Sequence, residues 1–338
     1  MASIKDIAKA CGVSVATVSK ALNGHNDISQ ATKEKVREAA HQMGYMPNSA
    51  ARALKTNRTY NLGVLFVDEA QSGLTHEFFA AVLDSFKRHA ESRGYDITFI
   101  NHNIGHGHSS YLEHCRYRGV DGVIAACVQF DDPEVVELAY SNLPLVTVDH
   151  VFNNRAAVLS DNVEGIRQLV DQLTALGHER IAYITGEQHS AVTQKRLVGF
   201  YRACAAHGIT VPDAYVVPST YRDAKSCAEA TRRLLNLPQR PTAILFPDDF
   251  SAIGGIQAVQ EEGLLIPRDI SLVGYDGNLI SQIMSPQLTT YRQDTEALGK
   301  AAAELLIEEI ESPRTALPEQ RLIAGRFLKG QSIDSPHD

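Results

Sequence analysis

The sequence predicts a small all-α head followed by an α/β body built from two doubly wound parallel-sheet subdomains. Three observations predict this architecture. Residues 1–44 hold short helical periods separated by glycines and capping residues. From residue 61 onward, buried-strand runs such as "NLGVLFV" alternate with amphipathic helical segments. The region is too long for one such sheet of ordinary size, which favours two subdomains.

The sequence of the head predicts three helices. A capping box that starts at Ser3 predicts a helix ending at Gly12. Ser14 caps a second helix that reaches about residue 22, and a third helix is expected over residues 30–43. Two short helices around a tight turn, with a third packed across them, form a helix-turn-helix, in which the second helix enters the major groove of DNA.

The charge distribution supports a nucleic-acid partner for the head alone. Residues 1–58 contain nine Lys or Arg residues and four acids, a net charge of +5, whereas the whole chain carries −8. Residues 59–338 therefore carry −13. A basic segment on an acidic body is typical of a polyanion-binding head.

The second helix and its flank supply the candidate DNA contacts. Hydroxyl groups reach phosphates or base edges, lysine donates to guanine or phosphate, and small apolar side chains contact a thymine methyl. An ordinary solvent-exposed face of a short helix is the alternative interpretation. The candidate residues are Ser14, Val15, Ala16, Thr17, Ser19, Lys20 and Asn23.

Residues 48–59 are expected to form a hinge with one short helix, over 49–55. A helix this short is marginal in water, so we expect it to form only against a partner helix. Two such helices from a dimer would make a symmetric wedge in the minor groove. Leu54 is the apolar wedge residue, and Arg52 and Lys55 flank it to hold phosphates.

In the body, open parallel sheets bind ligands beyond the carboxyl ends of their strands. Carboxylates accept from sugar hydroxyls, arginine donates as a fork, and aromatic rings cover an apolar sugar face. Helix capping by the acids and core packing by the phenylalanines remain open alternatives. The candidate ligand-binding residues are Phe78, Phe79, Asp149, Asp161, Arg196, Tyr221, Asp248, Asp276 and Gln293.

The motifs "IKDIAKACGVSVATVSKALNG", "VREAAHQMGYMPNSAARALKT", "PTAILFPDDF" and "LVGYD" resemble the LacI/GalR family of bacterial repressors over nearly the whole chain. The resemblance implies a body with a periplasmic-binding-protein-like fold. It also implies that Val15, Ala16 and Lys20 read bases and that Leu54 intercalates at the centre of a palindromic operator. It assigns effector binding to residues at three positions of the body, namely Arg196, Asp248 and Asp276.

The expected domains are a helix-turn-helix domain (1–47), the hinge (48–59) and an effector-binding and dimerisation body (60–338). Within the body, the first subdomain is predicted to comprise about 60–159 and 287–318, and the second about 160–286 and 319–338.

The function that follows is a homodimeric, cytoplasmic repressor whose operator affinity a small effector controls, with a sugar favoured by the acid-rich candidate list. A purine or phosphorylated co-repressor is one alternative. A solute-binding protein or enzyme without a DNA role is another.

No other chemistry is expected. Catalytic motifs are missing, the five widely spread cysteines contain no CxxC pair, and no apolar run is long enough for a membrane helix. The loop "NHNIGHGHSS" groups three histidines, but no acid or cysteine in it completes a metal site. We therefore expect no metal, cofactor or membrane partner. The histidines concerned are His102, His106 and His108, with His114 nearby.

Overall fold

The computed structural model of the chain describes residues 2–22, 25–46, 58–67 and 73–337. The chain divides into two compact units, Met1–Thr59 and Tyr60–Asp338. Among the described residues, no helix combines the length and the apolarity that crossing a membrane requires.

The first unit contains the three helices that the sequence predicts. They are α1 (Ile4–Cys11), α2 (Val15–Leu22) and α3 (Gln30–Gln42). The capping box at Ser3 forms, and Gly12 ends α1 in the left-handed conformation, with φ of 65°. One buried cluster holds the three helices together, and its centre consists of Ile7, Val18, Ala21 and Val36.

The predicted hinge helix, with Arg52, Leu54 and Lys55, lies outside the described residues, as does Asn23. Their roles therefore stay predictions.

The second unit alternates strands and helices. Its described strands are β1 (Asn61–Phe66), β2 (Asp96–Ile100), β3 (Asn103–Ile104), β4 (Gly107–His108), β5 (Gly122–Ala126), β6 (Leu145–Val148), β7 (Ala156–Ser160), β8 (Ile181–Thr185), β9 (Val216–Pro218), β10 (Ala243–Leu245), β11 (Ser271–Asp276), β12 (Thr289–Arg292), β13 (Gln320–Ile323) and β14 (Arg326–Leu328). Its described helices are α4 (Glu77–Ser92), α5 (Tyr111–Arg118), α6 (Pro133–Tyr140), α7 (Asn162–Ala175), α8 (Ala191–Ala206), α9 (Ala224–Leu235), α10 (Asp249–Glu261), α11 (Leu279–Ile283) and α12 (Thr295–Glu311).

The first subdomain is built on a parallel sheet with the order β13-β7-β6-β5-β1-β2. Successive residues of β1 face opposite sides of this sheet. Leu62 and Val64 enter the core that α4 and α12 cover, whereas Leu65 enters the core beneath α5 and α6. The apolar run of β1 is continuous because both faces are buried.

The second subdomain repeats the plan with the order β14-β12-β11-β10-β8-β9, in which β14 alone among these strands runs antiparallel to its neighbour. Along β8, Ile181 and Tyr183 pack under α7 and α8. Ala182 and Ile184 pack on the other side, under α9 and α10. The doubly wound fold predicted for both subdomains is confirmed.

The chain passes between the two sheets three times, and two of these crossings lie later than the sequence predicts. Strand β12 pairs with β11 of the second subdomain, so that crossing falls between Arg292 and Thr295 and not near 287. Strand β13 pairs with β7 of the first subdomain, so the last crossing falls between Ile323 and Arg326 and not near 318. Pro286 and Pro318, which adjoin the predicted boundaries, lie ahead of β12 and β13 and not at the crossings.

Candidate functional site

Helix α2 presents a surface of small side chains and one lysine. Val15 is 41% exposed, and Ser14, Ala16 and Lys20 are also exposed, whereas Val18 and Ala21 are buried. Ser14 caps the helix, since its Oγ accepts the backbone N–H of Thr17 at 3.0 Å and lies 2.9 Å from the Thr17 hydroxyl. Ser19 and Thr17 are half-buried at the edges of this surface.

Lys20 is engaged within the head. Its Nζ lies 2.5 Å from a carboxylate oxygen of Asp27, and both side chains are about half exposed. The lysine lowers the pKa of Asp27 through this hydrogen bond. An exposed ion pair of this kind contributes little to stability because water screens it. Asp27 was not among the residues that the sequence singled out.

In the body, Arg196 of α8 is the centre of a buried polar cluster and is 3% exposed. Its Nε donates to Oδ1 of Asn162 at 2.7 Å, and one Nη donates to the carbonyl oxygen of Pro247 at 2.7 Å. The other Nη lies 3.8 Å from Oδ1 of Asp276. A buried guanidinium is stable only with such a set of partners.

Two tyrosine rings contact the same guanidinium. The guanidinium carbon lies 3.6 Å from the ring centre of Tyr275 and 5.7 Å from that of Tyr221. Gly165 of α7 allows this packing, because a Cβ at that position would lie 2.3 Å from Oη of Tyr275. Tyr221 is itself held by a hydrogen bond of 2.9 Å between its hydroxyl and that of Thr193.

Asp276 ends β11 beside the arginine. Gln293 donates its Nε2–H to Oδ1 of Asp276 at 2.7 Å. Burial raises the pKa of Asp276 to about 7, although Arg196 opposes the rise. The backbone φ of 103° is a conformation that a non-glycine residue rarely adopts, and such strain clusters at functional sites.

Two further aspartates lie within electrostatic reach of Asp276 and are occupied by local hydrogen bonds. Asp149, after β6, accepts the N–H and the hydroxyl of Ser160 at 2.6 and 3.1 Å. Burial raises its pKa, while Ser160 and Arg196 oppose the rise. Asp248, after β10, caps α10 by accepting the N–H and the hydroxyl of Ser251 at 2.8 and 2.7 Å. It also accepts the N–H of Arg222 at 2.8 Å.

The structure thus brings six of the nine predicted ligand residues into one neighbourhood, at the carboxyl ends of the strands: Asp149, Arg196, Tyr221, Asp248, Asp276 and Gln293.

The other three predicted residues have structural contacts. Asp161 caps α7 by accepting the N–H of Glu164 at 3.1 Å. Phe78 is 5% exposed and belongs to the core beneath α4. Phe79 is half-buried with its ring 6.0 Å from that of Phe66. Ligand roles for these residues remain predictions.

Two residues of the cluster were not identified from the sequence. Asn162 accepts a hydrogen bond from Arg196, and the ring of Tyr275 stacks against its guanidinium. Each is next in sequence to a residue that was identified, Asp161 in "SDN" and Asp276 in "GYD". Asp249 is fully buried, with its oxygens bound to the N–H of Asn278 and the hydroxyl of Thr290, both at 2.7 Å. Burial raises its pKa well above the ordinary value.

A hydrogen bond also joins the two subdomains beside this cluster. Glu77, in the first turn of α4, accepts the backbone N–H of Leu279 in α11 at 2.7 Å. Leu279 follows Asp276 by three residues, so the first turn of α4, which contains Phe78 and Phe79, lies against the loop that leaves β11.

Comparisons with known proteins agree with this architecture. Residues 3–48 match the family model described as bacterial regulatory proteins, lacI family, and residues 170–333 match a periplasmic binding protein-like domain. The HTH-type transcriptional repressor PurR of Pectobacterium atrosepticum is 33% identical over 320 residues, which cover 93% of this chain and 92% of that protein. The ribose operon repressor of Escherichia coli is 32% identical over 327 residues, 95% and 96% of the two chains.

Solved structures agree as well. A Lac repressor dimer bound to operator and the anti-inducer ONPF has a TM-score of 0.80 at 26% identity, with 98% of this chain and 99% of that chain covered. A complex of the transcriptional regulator CelR with cellobiose has a TM-score of 0.72 at 26% identity, with 98% and 100% covered.

A helix-turn-helix head joined to a body of this type defines a transcriptional regulator with separate DNA-binding and effector-binding parts. The chain belongs to the lacI family of bacterial regulatory proteins. The family predicted from the sequence motifs is therefore confirmed, and these curated relatives are transcriptional repressors.

Proposed function

We propose that the protein is a cytoplasmic homodimeric repressor that binds a palindromic operator through α2 of each protomer and that a sugar effector bound at the Arg196 cluster controls its operator affinity. Bacterial operator DNA lies in the cytoplasm, which gives the location.

The DNA-binding part of the proposal rests on the exposed face of α2. Val15 and Ala16 present only apolar groups, which suit a thymine methyl, while Lys20 supplies the donor. Lys20 exchanges Asp27 for DNA at small cost because the pair is exposed. The proposed wedge residue, Leu54, completes the interface, and Leu54→Ala should weaken specific binding by the few kcal/mol of one unstacked base step.

The effector proposal rests on one observation, namely which hydrogen-bond donors and acceptors around Arg196 are already paired and which are not. The guanidinium already binds Asn162, Pro247 and Asp276. Within the part of the chain that the structure describes, Oε1 of Gln293 and Oη of Tyr275 are enclosed without a hydrogen-bond partner. A neutral ligand rich in hydroxyl groups can both donate and accept, so it satisfies these atoms and the nearby carboxylates.

The charges around Arg196 disfavour an anionic co-repressor. Three aspartates, Asp149, Asp248 and Asp276, surround one guanidinium whose donors are largely occupied. A phosphate placed here would meet more negative than positive charge. The phosphorylated co-repressor considered from the sequence is therefore the weaker candidate. A neutral purine meets no such charge repulsion, and both form arms of the ligand screen below.

Coupling to DNA requires only that the effector bind one arrangement of the subdomains better than the other. Asp149 belongs to the first subdomain, whereas Arg196 and Asp276 belong to the second. The hydrogen bond from Leu279 to Glu77 is kept in one arrangement of the subdomains and broken in another. A ligand that contacts both subdomains changes the free-energy difference between these arrangements.

The test combines binding selection and mutation. A selected palindromic duplex is titrated with full-length protein in the presence of sugars, nucleobases and phosphorylated metabolites, which are chosen first by thermal shift. Arg196→Ala should keep operator binding and lose the effector response. The control Arg202→Ala changes an exposed arginine on the same helix and should respond normally.

Three results would refute parts of the proposal. A normal response of Arg196→Ala would place the effector elsewhere. A response only to nucleobases or phosphates would reject the sugar. No preference of the full-length protein for any duplex would reject the repressor. Protein lacking residues 1–58 should still bind the effector while failing to bind the operator.

A further inference from the structure

The histidine-rich loop after β2 folds into a short hairpin in which β3 and β4 pair antiparallel, and Gly105 turns it with φ of 61°. His102 precedes the hairpin and His108 ends it. Their imidazole rings stack, with centres 5.4 Å apart and planes 17° apart. The hairpin therefore places two imidazoles side by side.

Glu134 reaches this pair from a different strand–helix segment of the same subdomain. It lies in the first turn of α6, where Asp132 accepts its backbone N–H at 2.7 Å. Oε2 of Glu134 lies 3.1 Å from Nδ1 of His102. Both atoms are enclosed, yet the geometry between them forms no hydrogen bond, so neither has a hydrogen-bond partner in the part of the chain described.

The three side chains form a compact donor set. Their ligand atoms all lie within 4.8 Å of one another. Ligands on a tetrahedral zinc ion, at about 2.0–2.1 Å from the metal, lie about 3.4 Å apart. The separation between His102 and Glu134 is already close to this value, and His108 is exposed beside them.

The donor types select the class of cation. The ring of Tyr111 lies 4.0 Å from that of His102. Two imidazoles and one carboxylate are a donor set typical of zinc and its neighbours among the transition metals, and not of magnesium or calcium.

We propose that His102, His108 and Glu134 bind one divalent transition metal ion of the zinc class, with a fourth position open to water. No metal was expected from the sequence because the loop itself contains no acid or cysteine. The structure supplies that acid from α6. The site uses no residue of the Arg196 cluster, and a bound ion would fasten the hairpin to α6.

The test is a zinc titration of full-length, untagged, chelator-stripped protein in competition with a chromophoric chelator. The wild type should bind one zinc ion per chain through this site. His102→Ala and Glu134→Gln should each weaken binding by about tenfold to a hundredfold or more, since loss of an outer-shell partner alone costs that much.

Two matched controls share the local structure. His106→Ala alters an exposed histidine at the turn of the same hairpin, and Glu137→Gln alters an exposed glutamate on α6. Both should bind zinc as the wild type does. If His102→Ala does not fold, as judged by circular dichroism, the exposed His108 provides the replacement variant, His108→Ala.

Cobalt substitution separates this site from the cysteines. Visible bands of four-coordinate cobalt without near-ultraviolet thiolate absorption would support the proposal. A strong thiolate band would overturn it. Wild-type affinity in both His102→Ala and Glu134→Gln, or an equal loss in His106→Ala, would also overturn it.

Discussion

Replacing Asp276 with asparagine should change how the stability of the body depends on pH. In the folded chain, burial raises the pKa of this carboxyl from 3.8 to about 7, against the opposing effect of Arg196. The folded state therefore keeps a proton between these two pH values that the unfolded state has released. Stability from this group is fully present below pH 3.8, falls as the pH rises and levels off above pH 7.

The size follows from the same two values. At about 1.4 kcal/mol for each pKa unit, the raised pKa costs about 4 kcal/mol at pH 8 and less than 2 kcal/mol at pH 5. Asparagine does not titrate, and its loss of contacts with Arg196 and Gln293 is the same at both pH values. Relative to the wild type, Asp276→Asn should therefore gain about 3 kcal/mol of unfolding free energy between pH 5 and pH 8.

Urea unfolding of both proteins at the two pH values measures this difference. Asp213→Asn, which alters an exposed aspartate of the second subdomain, is the control and should show no such change. An Asp276→Asn difference that is equal at pH 5 and pH 8 would refute the reasoning, because it would mean that the folded carboxyl is already ionised at pH 5.

Three further outcomes are expected. Effector affinity should rise roughly tenfold from pH 6 to pH 8, as the ionised fraction of Asp276 rises from about a tenth to about nine-tenths, and calorimetry on Asp276→Asn should show a flat profile. Gly165→Ala should push the Tyr275 ring off Arg196, with a loss of about 1–3 kcal/mol of stability and weaker effector binding in the same titrations; an unchanged affinity would mean that the stacking is irrelevant to the ligand. Ser14→Ala should cost the head about 1 kcal/mol through its lost helix cap, as measured by thermal unfolding of residues 1–59, and an unaltered melting curve would contradict it.

The fold was largely predictable because its signals are local. The capping box at Ser3 and the continuous apolar runs of β1 and β8 each specify their element without distant partners. The edge strands β13 and β14 were not predicted. They are short and only partly buried, so no apolar run marks them, and their sheet membership is set by pairing with distant strands.

The candidate sites were less predictable because they depend on long-range contacts. Resemblance to a family located Arg196, but nothing in the residues indicated that Asn162 would accept its Nε–H. The partnership of His102 with Glu134 likewise joins two separate strand–helix units. Sequence spacing carries no signal for such pairs, whereas the topology brings them together.

The late placement of β13 and β14 has a consequence for biosynthesis. Each completes the rim of a different sheet, and Ser332 then binds Leu272 and Thr289 within the second subdomain. Neither sheet can acquire all its described strands until residues 320–328 have left the ribosome. In a nascent chain, helices α1–α3 of the head can therefore fold before either sheet of the effector-binding body is complete.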